Sequence, residues 1–229
     1  LLQDRSPLAH KGVNGHVAVL GGSKDMPGAP ALAANAAVYS GAGKTTVITA
    51  QVALAGLRNS IIPEVMTASY QDDAAYDAIG ERLTHLLVDK DAVAIGPGLG
   101  RTQEASRMVQ NAIKGAQGPL VVDADAFYAQ DLDELINGGY LAGAVCTPHI
   151  GELAHITGLS TKQVLDTYIE LGLDLANRSG ATWVIKGIPS VVATPDGEIF
   201  INPIGNPGMG SGGMGDTLSG IIAAYIAQG

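Results

Sequence analysis

Short strand-prone runs alternate with helix-prone segments along almost the whole chain, and this alternation constrains the fold more than any other feature. "HVAVLGG", "TTVITA", "EVMTASY", "DAVAIGPGLG", "PLVVDADAF" and "LAGAVCTPH" are rich in β-branched or apolar residues and are bounded by glycine, proline or polar clusters. "EVMTASY" is expected to be an edge strand. Helical patterns fall between and after these runs, over 29–40, 52–59, 73–87, 103–114, 150–157, 161–178 and 216–228. "TWVIKG" and "SVVATPDGEIFIN" are further strands, the second folded into a hairpin at Pro195-Asp196-Gly197. Thr147 is expected to cap the helix that follows it, with Pro148 at the first helical position. The alternation predicts an α/β fold: a largely parallel sheet with right-handed crossovers and helices on both faces. Ligands of such sheets gather at the carboxyl ends of the strands.

No repeat, linker or charge block divides the 229 residues, so a single α/β domain over 1–229 is expected. Few aromatics (4%) among 46% apolar residues fit closely packed helix-on-sheet layers. A formal net charge of −9 argues against a nucleic-acid partner, which needs a basic surface. Cys146 is the only cysteine, which excludes an internal disulfide and suits a reducing compartment. No apolar run approaches the roughly 18 residues of a membrane span, and no signal peptide is visible. The expectation is a cytoplasmic protein with no membrane partner.

Two glycine-rich stretches invite a nucleotide reading. "SGAGKTT" ends like a phosphate-binding P-loop, yet Val38 stands where that motif needs its first glycine. The order of elements is also reversed, with a helix before the loop and a strand after it, so a helix-ending glycine turn is the better reading. "NPIGNPGMGSGGMGDTLSG" is different. Gly208, Gly210 and Gly213 match a dinucleotide fingerprint formally, but no strand–helix–strand unit follows. Gly212-Gly213-Met214-Gly215-Asp216, placed at a helix start, instead lets backbone N–H groups converge into an anion pocket. Asp216 beside that pocket can take a proton from a hydroxyl attacking a bound phosphate, or it can be an ordinary helix cap.

Other candidates also follow strands. His149 can donate to a phosphate or ribose oxygen. A zinc reading of His149, Glu152 and His155 fails on spacing, because the inverted zinc-helix pattern needs histidine where Leu153 stands. Lys186 leaves a strand as a cation followed by Gly187 and, further on, Ser190. Asp123 and Asp125 are two apart, so on a strand both carboxylates would share a face and could hold Mg²⁺; equally, one could cap the next helix. Glu64 is a weaker metal candidate.

"GGMGDTLSG" resembles the anion-hole segment of ribokinase-like small-molecule kinases. With "GHVAVLGGSKDMPGAPALAANAAVYSGAGKTTV", "PEVM", "AIGPGLG", "VVDADA", "TPHIGE" and "VIKGIPSVV" in that order, the chain resembles the ADP/ATP-dependent NAD(P)H-hydrate dehydratase family over roughly 10–228. The resemblance implies a ribokinase-like three-layer α/β/α fold. It implies nucleotide-dependent dehydration of the S-epimer of hydrated NADH or NADPH (NADHX, NADPHX), a carbon–oxygen lyase reaction that repairs a damaged cofactor. The donor would be ADP, as in bacterial members, or ATP, with Mg²⁺ required and phosphate released together with AMP or ADP. A homotetramer is implied too, and the family domain continues with further helices past the segment where this chain stops.

By the same resemblance Ala42, Gly100, His149 and Asp216 would face the hydrated dinucleotide. Lys186, Gly187, Ile188, Pro189, Ser190 and Gly215 would hold ADP or ATP. Asp216 would be the catalytic base and Gly212, Gly213 and Gly215 the anion hole. Two other readings keep the glycine–Asp216 segment: a kinase for a vitamin-precursor alcohol (hydroxymethylpyrimidine or hydroxyethylthiazole), and a non-catalytic adenine-nucleotide-binding module.

Overall fold

The computed structural model describes residues 5, 7–70 and 76–229. The elements in chain order begin with β1 (His16–Leu20), α1 (Gly28–Tyr39), β2 (Lys44–Ala50), α2 (Leu54–Arg58) and β3 (Met66–Tyr70). There follow α3 (Tyr76–Leu87), β4 (Ala92–Ile95), α4 (Gln103–Gly115), β5 (Leu120–Val122), α5 (Leu132–Asn137) and β6 (Val145–Cys146). The last are α6 (Ile150–Thr157), α7 (Thr161–Ser179), β7 (Thr182–Ile185), β8 (Ser190–Ala193), β9 (Ile199–Asn202) and α8 (Met214–Ala227). The expected helix over 73–87 is described from Tyr76 onward, and its first residues lie outside the described ones.

β4 and β5 are buried along their whole length, which requires helices on both faces. The strands form one sheet in the order β3-β2-β1-β4-β5-β6-β7-β8-β9. From β3 to β7 all pairings are parallel, while β8 and β9 continue antiparallel. β3 lies at the sheet edge, as expected. The expected hairpin turns at Pro195-Asp196-Gly197, where Gly197 takes φ +85 and Thr194 N–H donates to the Glu198 carbonyl at 3.0 Å. Strand order reverses between β1 and β4, and the loops leaving those strands open a crevice there.

Three expectations are corrected. The strand predicted to run to residue 127 ends at Val122, because Ala124 takes φ 51 and a 3₁₀ turn occupies Ala124–Tyr128. Helix α6 is capped by His149, not Thr147, and α8 begins at Met214 with Gly213 as its N-cap. The short α5 was not foreseen; it follows Asp131, which adopts a left-handed conformation.

The alanine-rich α1 lets α8 approach closely on one face of the sheet. A Cβ added at Gly220 would lie 1.9 Å from the Ala33 carbonyl oxygen, so the two helices meet backbone to backbone. Gly220→Ala must push them apart. The expected loss is roughly 1–3 kcal/mol, read as about 2–4 °C of Tm per kcal/mol in a thermal melt. An unchanged Tm would overturn this account of the packing. Among the described residues no helix is long and apolar enough to cross a membrane.

Candidate active site

The parallel strands β5, β6 and β7 deliver polar groups to the carboxyl edge of the sheet. Asp123, the first residue past β5, is 1% exposed and accepts two strong hydrogen bonds. Lys186 Nζ, just past β7, reaches Oδ1 at 2.7 Å, and Ser219 Oγ on α8 reaches Oδ2 at 2.6 Å. A buried carboxylate is tolerable only with such partners. It ties the ends of β5 and β7 to α8.

His149 and Glu152 supply a second knot at the start of α6. Glu152 N–H donates to His149 Nδ1 at 3.0 Å, while His149 N–H donates to Glu152 Oε2 at 2.8 Å. In the neutral ring the proton therefore sits on Nε2, which lies 3.3 Å from Glu152 Oε1. Burial, reinforced by the Lys186 charge, lowers the His149 pKa and favours that neutral ring. Burial raises the Glu152 pKa, opposed by Lys186 Nζ at 3.9 Å.

The start of α8 closes the cluster. Gly213 takes φ +89, a conformation that favours glycine, and no side chain caps the helix. The first intrahelical bond runs from Thr217 N–H to the Gly213 carbonyl. The N–H groups of Met214, Gly215 and Asp216 therefore stand outside the helix ladder. A Cβ at Gly215 would sit 3.1 Å from Lys186 Nζ, so this turn and the lysine share one small space. Amides outside the helix ladder, the helix's positive end and a lysine are groups that can attract an anion. Asp216 points its carboxylate into that region. Its pKa is raised to about 6 by burial first and then by the Asp123 charge, against the lowering effect of Lys186. A carboxylate poised near neutrality suits proton transfer.

The sequence model of the NAD(P)H-hydrate dehydratase family matches residues 17–229. The chain belongs to that family. It is 38% identical to a bifunctional NAD(P)H-hydrate repair enzyme of Moorella thermoacetica, covering 100% of this chain and 43% of that protein. The chain thus spans less than half the length of that relative. It is 33% identical to an ADP-dependent (S)-NAD(P)H-hydrate dehydratase of Xanthomonas campestris, covering 98% of this chain and 76% of the relative. Among solved structures, an ADP/ATP-dependent NAD(P)H-hydrate dehydratase of Bacillus subtilis co-crystallised with ATP/Mg²⁺ matches with TM-score 0.80 and 30% identity. That match covers 99% of this chain and 77% of that one. The architecture is a ribokinase-like α/β fold.

In this dehydratase-family chain, Asp216, Gly212, Gly213, Gly215, His149 and Lys186 all lie at the carboxyl edge of the sheet. Gly187, Ile188 and Pro189 form the turn from β7 to β8 beside Lys186, and Ser190, the first residue of β8, donates its Oγ hydrogen to the Gly187 carbonyl at 2.9 Å. Ile188 is 85% exposed there. Gly100 takes φ +84 and donates its N–H to Asp125 Oδ2 at 2.9 Å. A Cβ there would meet nothing nearer than Ser23 at 3.9 Å, so its open side faces a cavity.

Ala42 does not join them. It precedes β2, at the amino edge, where Gln228 past the end of α8 donates to the Ser40 carbonyl. Asp216 lies in the first turn of α8 and Gln228 just past its end, so at about 1.5 Å per residue roughly 18 Å of helix separates Asp216 from the Ser40–Ala42 turn.

The metal candidates Asp123 and Asp125 are placed differently from the expected strand pair. Because the strand ends before Asp123, the alternation that would align Asp123 with Asp125 does not apply. Both carboxylates are engaged: Asp123 as above, and Asp125 by Gly100 N–H and by Arg101 Nε at 3.0 Å. Among the described residues no group of three or more His, Cys, Asp or Glu could hold a metal ion. His155 stands apart from His149, stacked on Tyr128 with ring centroids 4.3 Å apart.

Sequence reasoning missed Ser219 and the Arg101–Asp125 pair. Ser219 sits one turn beyond Gly215, and helical spacing alone could have aimed it at the same spot. Nothing in the sequence marks Arg101 as the partner of Asp125.

Proposed function

We propose that the protein restores NADH or NADPH from the S-form hydrates, using ADP or ATP as phosphoryl donor. The observation that carries this reading is Asp216: a carboxylate raised to about 6, set on the uncapped first turn of α8 beside Lys186. Asp216 accepts the proton of the C6 hydroxyl as that oxygen attacks the donor's terminal phosphorus. The bond to the bridging oxygen breaks, and AMP or ADP departs with the electron pair. The free amides at Gly215 and its neighbours and the Lys186 ammonium offset the charge of the moving phosphoryl group. The C6–O bond then breaks as the ring nitrogen's lone pair moves in, phosphate leaves, and a proton lost from C5 restores the ring double bond. That last step is the cofactor's own chemistry.

The residues suit a magnesium ion that arrives with the nucleotide rather than a resident one, since Asp123 and Asp125 are already bonded within the protein. Such an ion takes most of its ligands from phosphate and water, and it supplies charge neutralisation when bound.

His149 offers Nε2–H to the substrate. His149→Ala is expected to weaken hydrated-dinucleotide binding roughly tenfold to a hundredfold, the loss of a hydrogen bond to a charged group. It also removes a helix cap, at a cost of about 1 kcal/mol. His149→Ser restores the cap and the Tm but not the affinity; recovery of both by serine, measured by calorimetry and melting, would leave His149 a structural residue.

The reading as a whole is tested by incubating the protein with hydrated NADPH, Mg²⁺ and ADP or ATP, following reduced-nicotinamide absorbance and released phosphate. Stoichiometric recovery of both is expected. Phosphoryl transfer to a different alcohol, with no recovery of absorbance, would assign the site to a kinase.

A further inference from the structure

Past Gly100 the carboxyl edge opens into a cavity of about 610 Å³, a volume typical of ligand sites. It lies where strand order reverses: Gly22 follows β1 and Gly100 follows β4, and both line it. Extended ligands of open α/β sheets lie across this crevice. The floor is apolar, with Val52, Tyr70 and Met108 offering a surface for a flat ring. The rim carries Lys24, Arg101 and Arg107, three of only 13 Lys and Arg in a chain of net charge −9. Arg101 is already paired with Asp125 and lies 3.5 Å over the Tyr128 ring. Lys24 is exposed and enters no ion pair among the described residues. The Gly100–Arg101 corner joins this cavity to the Asp216 cluster through Asp125, whose charge also reaches Asp216.

We propose that this cavity takes the adenosine half of the hydrated dinucleotide, and that Lys24, with Arg107, recognises the 2′-phosphate that separates the NADP form from the NAD form. The inference rests on the dehydratase reading for the identity of the ligand. A molecule whose hydrated ring sits at Asp216 and whose pyrophosphate passes Gly100 has its far end in this cavity. There a phosphate dianion finds cations, while a ribose hydroxyl finds no need of them. Two carboxylates, Asp25 and Glu104, also line the cavity. An acid that accepted hydrogen bonds from a ribose diol would favour the NAD form instead, so the preference decides between them.

The test is KM and kcat for hydrated NADPH and hydrated NADH, with wild type, Lys24→Ala and Arg107→Ala. The wild type is expected to have the lower KM for hydrated NADPH. Lys24→Ala raises that KM about threefold to tenfold, steepest at low salt, and leaves the KM for hydrated NADH and both kcat values alone. Arg107→Ala acts in the same direction. Equal KM values in the wild type, a preference for hydrated NADH, or equal shifts for both substrates in Lys24→Ala would overturn the proposal. If neither hydrate is turned over, the dehydratase reading fails separately. The cavity is then judged by calorimetry with NADPH and NADH: tighter NADPH binding lost in Lys24→Ala supports it, and indistinguishable binding sinks it.

Discussion

Asp216→Asn is expected to lower turnover of hydrated NADPH about 10²–10⁴-fold, the usual cost of losing a general base, while nucleotide affinity holds or improves. The carboxylate lies against the proposed anion site, so removing its charge relieves repulsion toward phosphate. Wild-type kcat/KM should rise with pH until about 6, where Asp216 becomes ionised, and then level off. Stability moves the other way. The folded-state pKa of about 6 lies above the ordinary 3.8, so between these values the folded protein holds a proton that the unfolded chain has lost. Stability attributable to Asp216 therefore falls as pH rises through this window, and at pH 7–8 the ionised carboxylate opposes folding. Asparagine removes that penalty. Since the side chain keeps contact with water, the gain is on the order of 1 kcal/mol, or about 2–4 °C, shrinking as pH falls toward 4. A variant with wild-type turnover would remove Asp216 as the base. One that melts lower at pH 8 would make its carboxylate a stabilising element of α8.

The features that could be read ahead are those whose physics is local. Buried runs such as Ala92–Ile95, the Pro195-Asp196-Gly197 turn and the glycines before α8 each state their geometry within a few residues. What was missed depends on tertiary context. Ala124 at φ 51 carries no glycine to announce it, and that one residue ended the strand alternation on which the Asp123–Asp125 pairing rested. Histidine is an unusual N-cap, so preference pointed to Thr147; only the reciprocal bond with Glu152 makes His149 the cap. Lys186 and Asp123 stand 63 positions apart, and Ser219 is 96 from Asp123, distances no local pattern bridges. Ala42 is a different case. Its turn feeds a strand rather than leaving one, so its place at the amino edge follows from the order of elements.

Lys186→Ala tests whether one residue serves both the fold and the nucleotide. Asp123 is 1% exposed and would keep only the Ser219 hydroxyl. Stranding one member of a buried pair costs about 3–5 kcal/mol; because the Lys186 side chain is 23% exposed, the lower end is expected, roughly 6–12 °C of Tm. Lys186 also lowers the Asp216 pKa, so its loss should move the acid limb of the kcat/KM profile to higher pH. A purely structural lysine that left the site unperturbed would not produce that displacement. Nucleotide affinity should fall, and the remaining binding should depend less on salt, since a point charge on phosphate has gone. The double variant Lys186→Met with Asp123→Asn separates the roles. It neutralises both partners while keeping a bond to Ser219, so most of the lost stability should return. Nucleotide affinity should not return with it, because the cation at the first turn of α8 is still missing. A double variant that regained nucleotide affinity together with stability would reduce Lys186 to the structural partner of Asp123 and leave phosphate binding to the amides of α8 alone.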